Sequence, residues 1–298
     1  MITVTGLTKR YGHHVAVDDL TFTAAAGRVT GFVGPNGAGK STTMRMMVGL
    51  TRPDAGEVRY GGVRHSELQH PARVVGAVLD PRCMHPGRTA RNHLRAMAAL
   101  SGIASERVEQ VLVDVGLESA MDQRAGGFSL GMRQRLALAG ALLGEPSVLL
   151  LDEPSNGLDP DGIRWLRNHL SAFAARGGTV FVSSHLISEL SMFADDLVVV
   201  GAGRLLAAET VEGITARSAT TVHVETPQAA ELARELGARK ISVDRSDDLL
   251  VIRGTTKADV SEIAFQHGIR LVELSEATRS LEDTLLDMTG ASAEYTSA

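Results

Sequence analysis

Two kinds of hydrophobic pattern follow each other along much of the chain. Continuous apolar runs at Val29–Val33, 74–79 and Val148–Leu151 are typical of strands that are buried on both faces. Between such runs, apolar residues recur at helical spacing, as in residues 163–173, which precede another apolar run that starts at Thr179. Strands that alternate with helices predict an α/β domain with a mostly parallel sheet.

Two segments depart from this alternation. Apolar and polar residues alternate in residues 1–25, as in Ile2-Thr3-Val4, which predicts antiparallel strands at the edge of the sheet. Residues 89–115 show only helical spacing, with apolar residues at positions such as Leu94 and Val108. We therefore expect a helical insert in the α/β domain.

The pattern changes again near residue 216. The order of expected elements is a strand at Val222 and Val224, a helix capped by Thr226, a strand near Ile241, a strand over 249–252, a helix with a capping box at Thr256 and Asp259, and a strand over 269–274. This β-α-β-β-α-β order predicts a small ferredoxin-like α+β domain, followed by a helix from Ser280. We expect domains at 1–215 and 216–290, with a frayed tail over 291–298.

Composition narrows the class of protein only modestly. The chain of 298 residues is 44% hydrophobic and 22% charged, as in ordinary globular proteins. Its net charge of -5 gives no reason to expect nucleic acid as a partner. Cys83 is the only cysteine, which is compatible with a reducing cytosol. Since the sequence has neither a signal peptide nor an apolar run long enough to cross a bilayer, we expect any membrane role to depend on a partner.

The most specific motif follows the apolar run at Val29–Val33. It fits the phosphate-loop pattern G-x-x-x-x-G-K-[ST] and reads Gly34-Pro35-Asn36-Gly37-Ala38-Gly39-Lys40-Ser41, with Thr42 next in the following helix. Glycines let successive backbone N–H groups converge on a polyphosphate at a helix start. Lys40 would meet the outer phosphates and the Ser41 hydroxyl would hold Mg²⁺. A glycine-rich turn that binds nothing is the alternative, but the flanking strand and helix favour a nucleotide site.

Further polar residues are expected at the same edge of the sheet. Asp152 and Glu153 follow the run at Val148–Leu151, and His185 ends the run after Thr179. Ligands bind beyond the carboxyl ends of parallel strands, so these side chains can face the phosphates. Asp152 suits an outer-shell contact to Mg²⁺, Glu153 can polarise an attacking water, and His185 can orient Glu153 and bond the γ-phosphate. The alternatives are that the two acids are only solvated at the end of a strand, and that the histidine has no role in the site.

The residues on either side of the apolar run at Val148–Leu151 carry a resemblance to a known family. Phe128-Ser129-Leu130-Gly131-Met132 precedes Leu151-Asp152-Glu153-Pro154 and resembles the signature of an ATP-binding cassette. The resemblance covers residues 1–215. It implies that Tyr11 stacks on adenine with Val17 beside it, and that two copies sandwich two ATP molecules. The residues that would contact the ATP held by the other copy are Ser129, Leu130, Gly131 and Met132, and Asp159 would lie in the loop that meets it.

Three positions differ from the usual cassette sequence. Leu130 and Met132 replace glycine and glutamine, and Asp80 replaces a glutamine that contacts Mg²⁺ and couples to the membrane subunit. With these variants the chain is similar to cassettes of the bacitracin- and daunorubicin-resistance type. That similarity implies an ATPase that drives export through a separate permease at the cytoplasmic face of the cell membrane.

Two other functions remain open from the sequence. A soluble cassette that acts on ribosomes or nucleic acid usually has two cassettes or a long coiled-coil insert, whereas this chain has one phosphate loop and no extended heptads. A phosphate-loop kinase is the other alternative. It would leave the residues from Ser129 to Met132 without a role, and no acceptor site is visible.

Overall fold

A computed structural model describes residues 1–80, 84–185, 187–217 and 220–278 of the chain. The described residues form two compact units, the first ending at Val211 and the second beginning at Glu212. Cys83, the helix expected from Ser280 and the tail expected from residue 291 lie outside the described residues. Within the described ranges, no helix is both long enough and apolar enough to cross a membrane.

The first unit alternates strands and helices, as the hydrophobic pattern predicts. Its strands are β1 (Ile2–Tyr11), β2 (His14–Ala24), β3 (Val29–Val33), β4 (Ala55–Tyr60), β5 (Val63–Arg64), β6 (Val75–Val78), β7 (Val148–Leu151), β8 (Thr179–Ser184), β9 (Asp196–Gly201) and β10 (Arg204–Thr210). Its helices are α1 (Lys40–Met47), α2 (Ala90–Ser101), α3 (Glu106–Asp114), α4 (Leu130–Leu142), α5 (Pro160–Ala175) and α6 (Ile187–Ser191), and α7 (Val211–Arg217) begins at the boundary.

The main sheet has the strand order β10-β9-β3-β8-β7-β6. Every neighbouring pair from β9 to β6 is parallel, and only β10 pairs antiparallel with β9. The prediction of a mostly parallel sheet with helices is therefore confirmed. Because β3, β7 and β8 run in the same direction, the residues that follow them reach the same edge of the sheet.

A second sheet, in the order β2-β1-β4-β5, is antiparallel throughout. It confirms the antiparallel strands that the alternation in residues 1–25 predicts. Three stacked phenylalanines join it to the main sheet, with Phe22 of β2 lying 5.9 Å from Phe32 and 5.3 Å from Phe181 between ring centroids. All three rings are buried, so the main core of the first unit lies between the two sheets.

The helical insert is also confirmed. Thr89 caps α2 by accepting a hydrogen bond from the backbone of Asn92 at 3.2 Å. The apolar faces of α2, α3 and α4 meet in a separate core that includes Leu94, Val108 and Leu136. This core packs the insert against α4, the helix that begins directly after Ser129.

The second unit has the element order β11 (Thr220–Glu225), α8 (Ala229–Ala238), β12 (Ser242–Ser246), β13 (Leu249–Arg253), α9 (Lys257–Gln266) and β14 (Glu273–Thr278). Its antiparallel sheet has the order β12-β13-β11-β14, which is the ferredoxin-like arrangement. The capping box at Thr256 and Asp259 opens α9 as predicted.

Two expected boundaries in the second unit are wrong. Thr226 does not cap α8, since that helix begins at Ala229 and its N-cap is Gln228. The Thr226 hydroxyl instead donates to the carbonyl of Arg270 at 2.7 Å and accepts from the backbone of Gln228 at 3.1 Å. The last described strand begins at Glu273 rather than at residue 269, because pairing with β11 begins only there, while Ile269 is buried in the core.

Candidate nucleotide site

The loop after β3 is shaped by close backbone contacts on both sides. A Cβ atom on Gly34 would lie 2.3 Å from the carbonyl oxygen of Val200, in β9. A Cβ atom on Gly39, whose φ is 94°, would lie 2.3 Å from the carbonyl oxygen of Ala16, in β2. Only glycine fits at either position. Gly39 is also the N-cap of α1, so free backbone N–H groups and the positive end of the helix dipole lie at the loop.

Lys40 is held inside this loop. Its side chain is only 7% exposed, and its ammonium donates to the carbonyl oxygens of Gly34 at 2.6 Å and Pro35 at 3.3 Å. Burial lowers the pKa of the Lys40 ammonium, whereas the nearby carboxylates of Glu153 and Asp152 act in the opposite direction. A buried cation among carbonyl dipoles is suited to an anionic ligand, since a phosphate would supply the charge that the loop lacks.

The acids after β7 are fixed by a buried serine on the neighbouring strand. The Ser183 hydroxyl donates to Asp152 Oδ1 at 2.5 Å and accepts from the backbone N–H of Glu153 at 2.9 Å. Glu153 has a φ of 49°, which a non-glycine residue rarely adopts. The strained backbone and the serine together direct the two adjacent carboxylates to different places.

Glu153 lies between a cation and an imidazole. Its Oε2 is 2.6 Å from Nδ1 of His185, and its Oε1 is 3.9 Å from the ammonium of Lys40. The Glu153 side chain is 21% exposed, so it remains accessible from the cavity. A carboxylate with one oxygen held by an imidazole can accept a proton from water on the other.

These groups line one cavity of about 530 Å³. Its lining consists of Tyr11, His14, Ala16, Asn36, Gly37, Ala38, Gly39, Lys40, Ser41, Thr42, Glu153, Asn156 and His185. The structure thus brings together most of the residues that the sequence places at the site. Gly34 and Pro35 contribute backbone carbonyls to Lys40, and Asp152 is held just behind Glu153 by Ser183.

Val17 does not line this cavity. The register of β1 and β2 pairs Lys9 with Val17 and Arg10 with Val15, so Ala16 is the extra residue of a β-bulge. The bulge brings Ala16 to the cavity and leaves the side chain of Val17 with no exposed surface, in the main core. The side chain of Val17 therefore presents no surface to the cavity, and its place beside a base stays a prediction.

Asp80 lines a different cavity, of about 350 Å³, together with residues such as Val48 and Met97. It is not among the residues that line the cavity with Lys40 and Glu153, so the structure gives no support to its expected contact with Mg²⁺. Asp80 follows β6, the strand at the outer end of the main sheet, and β8 and β7 lie between β6 and β3. That separation accounts for the difference.

The signature residues begin α4, away from the cavity of their own chain. Ser129 caps this helix by accepting from the backbone of Met132 at 3.2 Å, as predicted. Leu130 is 41% exposed and packs on the loop after Glu153, since a Cβ atom on Gly157 would lie 2.2 Å from it. Asp159 caps α5 by accepting from Gly162 at 2.8 Å.

Sequence reasoning missed several residues of the site. His14 and Asn156 line the cavity, and Ser183 positions both acids. Ser183 could have been predicted from the sequence, because it lies at the end of an apolar run, as the two acids do. Nothing in the sequence marks Ala16, because its position depends on the β-bulge.

A phosphate-binding loop, an adjacent acidic pair and an imidazole at the ends of parallel strands define a phosphate-loop nucleotide hydrolase. A family model described as "ABC transporter" matches residues 17–156, and a model described as "Domain of unknown function" matches residues 220–282.

Relatives with a curated description extend this match to nearly the whole chain. An uncharacterised ABC transporter ATP-binding protein, YhcH of Bacillus subtilis, is 36% identical over 97% of this chain and 95% of its own length. The bacitracin transport ATP-binding protein BcrA of Bacillus licheniformis is 39% identical over 69% of this chain and 68% of its own. A solved ATP-binding subunit of an ABC transporter matches with a TM-score of 0.66 and 27% identity, covering 73% of this chain and 92% of that one. The chain therefore belongs to the ATP-binding proteins of ABC transporters, and it is an ATPase.

Proposed function

We propose that this ATPase drives the export of a small compound through a separate membrane permease. The observation that carries the hydrolytic part of the proposal is the position of Glu153, which lies between His185 and Lys40 at the mouth of the phosphate loop. In this reading Glu153 is the catalytic base for the attacking water, and His185 is the catalytic residue that orients it and bonds the γ-phosphate.

The cavity fits a nucleoside triphosphate. The backbone N–H groups from Asn36 to Thr42 and the ammonium of Lys40 bind the phosphates, and the exposed ring of Tyr11 stacks on the adenine. Mg²⁺ would be held by the Ser41 hydroxyl and, from farther out, by Asp152, and it would neutralise charge on the phosphates. The described residues contain no cluster of three His, Cys, Asp or Glu side chains that could hold a metal alone. This fits Mg²⁺, which is usually bound by one or two protein groups together with phosphates and water.

The hydrolytic site is completed by a second copy of the chain. The start of α4 presents free backbone N–H groups and the positive end of a helix dipole, but it does not line the cavity of its own chain. In a head-to-tail dimer, Ser129 and Gly131, flanked by Leu130 and Met132, bind the γ-phosphate held by the partner. The loop that ends at Asp159 meets the partner at the same interface.

Export is the transport direction supported by a relative in Rhizobium leguminosarum that is described as a Nod factor export ATP-binding protein and is 31% identical over 98% of this chain. The cassette would act at the cytoplasmic face of the cell membrane, bound there through the permease, with residues 1–215 forming the ATP-binding domain. Residues 216–290 would form an accessory domain, followed by a tail over 291–298. The dimer of cassettes would close when ATP binds and open after hydrolysis, and these changes would bias the permease between two states.

The test uses the Glu153→Gln variant, tagged and purified from gently solubilised cells in Mg-ATP. We expect retained ATP binding, loss of turnover, accumulation of dimers and co-purification of a polytopic membrane protein, identified by mass spectrometry. Glu145→Gln changes an exposed glutamate far from the cavity and is the matched control, with normal turnover expected. Normal turnover of Glu153→Gln would remove Glu153 from catalysis, and ribosomal proteins or nucleic acid in place of a membrane protein would refute the transport proposal.

A further inference from the structure

The ring of Tyr11 stands at the end of a hairpin and needs support to act as a stacking surface. Tyr11 pairs with His14 across the turn at Gly12 and His13, and its side chain is 50% exposed. An exposed aromatic residue next to a tight turn can adopt several rotamers, and fixing one of them costs entropy when a base binds. A device that holds the ring in place before binding would therefore raise the affinity for the base.

Lys9 provides such a device. It lies two residues before Tyr11 on β1, on the same face of the strand, and its ammonium is 5.5 Å from the centroid of the ring. A cation at this distance attracts the face of an aromatic ring. Tyr11 lines the nucleotide cavity whereas Lys9 does not, so the ammonium contacts the ring from outside the cavity.

Lys9 is itself immobilised by the loop before β4. Its side chain is only 15% exposed, and its ammonium donates to the carbonyl oxygen of Arg52 at 2.9 Å and to Asp54 Oδ1 at 3.0 Å. The other oxygen of Asp54 accepts from the backbone N–H of Arg10 at 2.7 Å. The backbone N–H of Asp54 donates to the carbonyl of Thr8 at 2.9 Å.

The charge of Asp54 is secured by the same contacts. The backbone N–H of Arg10, and then the ammonium of Lys9, lower the pKa of the Asp54 carboxyl. Asp54 is therefore ionised at neutral pH, and it ties the last residues of β1 to the loop before β4. The cation beneath the ring is fixed from two sides, by a carbonyl and by a carboxylate.

We propose that Lys9, fixed by Asp54, is a positioning residue that holds the Tyr11 ring for stacking on the base of the nucleotide. The pair sets affinity for the base and leaves affinity for the phosphates unchanged. This inference rests on the proposed function, because it requires that Tyr11 stacks on adenine.

The test compares ATP with tripolyphosphate, which keeps the phosphates and lacks the base. Binding of each, with Mg²⁺, is measured by calorimetry on the full chain. We expect Lys9→Met to weaken ATP binding about two- to fivefold, as the loss of an exposed cation–π contact would, and to leave tripolyphosphate binding unchanged. KM for ATP should rise with little change in kcat. Lys9→Arg, which keeps a cation that can bond Asp54 and stack on the ring, should restore ATP binding.

A double-mutant cycle identifies the residue through which Lys9 acts. In a Tyr11→Ala background, Lys9→Met should have no further effect on ATP binding, because the ring it positions is absent. Lys257→Met removes an exposed lysine of the second unit and controls for the loss of one positive charge.

The outcomes separate this inference from the proposed function. Equal weakening of ATP and tripolyphosphate, or an undiminished effect of Lys9→Met in the Tyr11→Ala background, would overturn the positioning role. So would a Lys9→Met variant that binds ATP normally while Tyr11→Ala binds it weakly. If Tyr11→Ala itself binds ATP normally, the stacking contact of the proposed function fails, and the positioning role fails with it.

Discussion

Two buried hydroxyls on neighbouring strands should respond to removal in opposite directions. Ser183 of β8 and Thr30 of β3 both have no exposed surface. The Ser183 hydroxyl makes two hydrogen bonds, to Asp152 and from Glu153. Among the described residues, the Thr30 hydroxyl has no hydrogen-bond partner. We predict that Ser183→Ala destabilises the first unit and that Thr30→Val stabilises it.

The magnitudes follow from the partners that each hydroxyl has. A hydrogen bond to a charged group contributes about 1.5–3 kcal/mol and one to a neutral group about 1 kcal/mol, so Ser183→Ala should cost about 3 kcal/mol. An unpartnered buried hydroxyl costs about 1–3 kcal/mol, so Thr30→Val, which keeps the shape of the side chain, should recover about 1–2 kcal/mol. Ser183→Ala should also lower kcat, since it releases the backbone that directs Glu153.

The assay is urea unfolding followed by the fluorescence of Trp165, the only tryptophan of the chain, which lies in α5 of the first unit. The two substitutions lie in neighbouring strands of the same sheet. Opposite signs for their changes in unfolding free energy would therefore reflect the hydrogen bonds rather than general packing. A loss of stability in both variants would refute the reasoning for Thr30. An unchanged midpoint in Ser183→Ala would show that the bonds around the acids add nothing to stability.

Three further predictions concern the loop, the signature and pH. Gly39→Ala should abolish ATP binding, measured by calorimetry, because the new methyl meets the carbonyl of Ala16. Gly237→Ala, in α8 of the second unit, adds a methyl that meets nothing within 4 Å and should leave ATP binding unchanged; equal losses in the two variants would contradict this reason. Leu130→Gly should lower the unfolding free energy by about 1 kcal/mol through lost packing and a more flexible helix start, and an unchanged urea midpoint would contradict it. Burial lowers the pKa of His169 from 6.5, so the unfolded chain binds more protons below that pH and stability falls as pH falls through this window. Between pH 7 and pH 5, His169→Gln should therefore lose less thermal stability than the unchanged protein does. The difference between the two should be smaller than the about 1.4 kcal/mol per pH unit that uptake of one whole proton would give, because the ring is only half-buried.

The parts of the fold that the sequence predicts well are those that local patterns determine. The apolar runs at Val29–Val33 and Val148–Leu151 become parallel strands of one sheet, with β8 between them, and Ser129 caps α4 as its residue type suggests. A buried strand and a helix cap each depend on a few neighbouring residues. Since parallel strands end at one edge, the placement of Glu153 and His185 near Lys40 also follows from the pattern.

The parts that the sequence leaves open depend on register. The exchange of Ala16 for Val17 at the cavity arises from a bulge in the pairing of β1 and β2, and no property of the two apolar residues distinguishes them. The strand at Asp196–Gly201 was not predicted either, although its run of valines was a readable signal. The place of Asp80 depends on β6 lying at the outer end of the sheet.

The glycines of the phosphate loop show how register acts on the chemistry. Carbonyl oxygens of β2 and β9, at Ala16 and Val200, close the loop at Gly39 and Gly34 and leave no space for a side chain. The motif residues alone therefore do not determine the conformation of the loop, since it also needs two strands outside the motif, β2 and β9. A nucleotide that binds only the closed loop must then stabilise the packing of both strands, by an amount that grows with the logarithm of its concentration above Kd. Hence the thermal stability of the first unit should rise with ATP concentration, and a variant that loosens either strand should lose ATP affinity without any change in the motif.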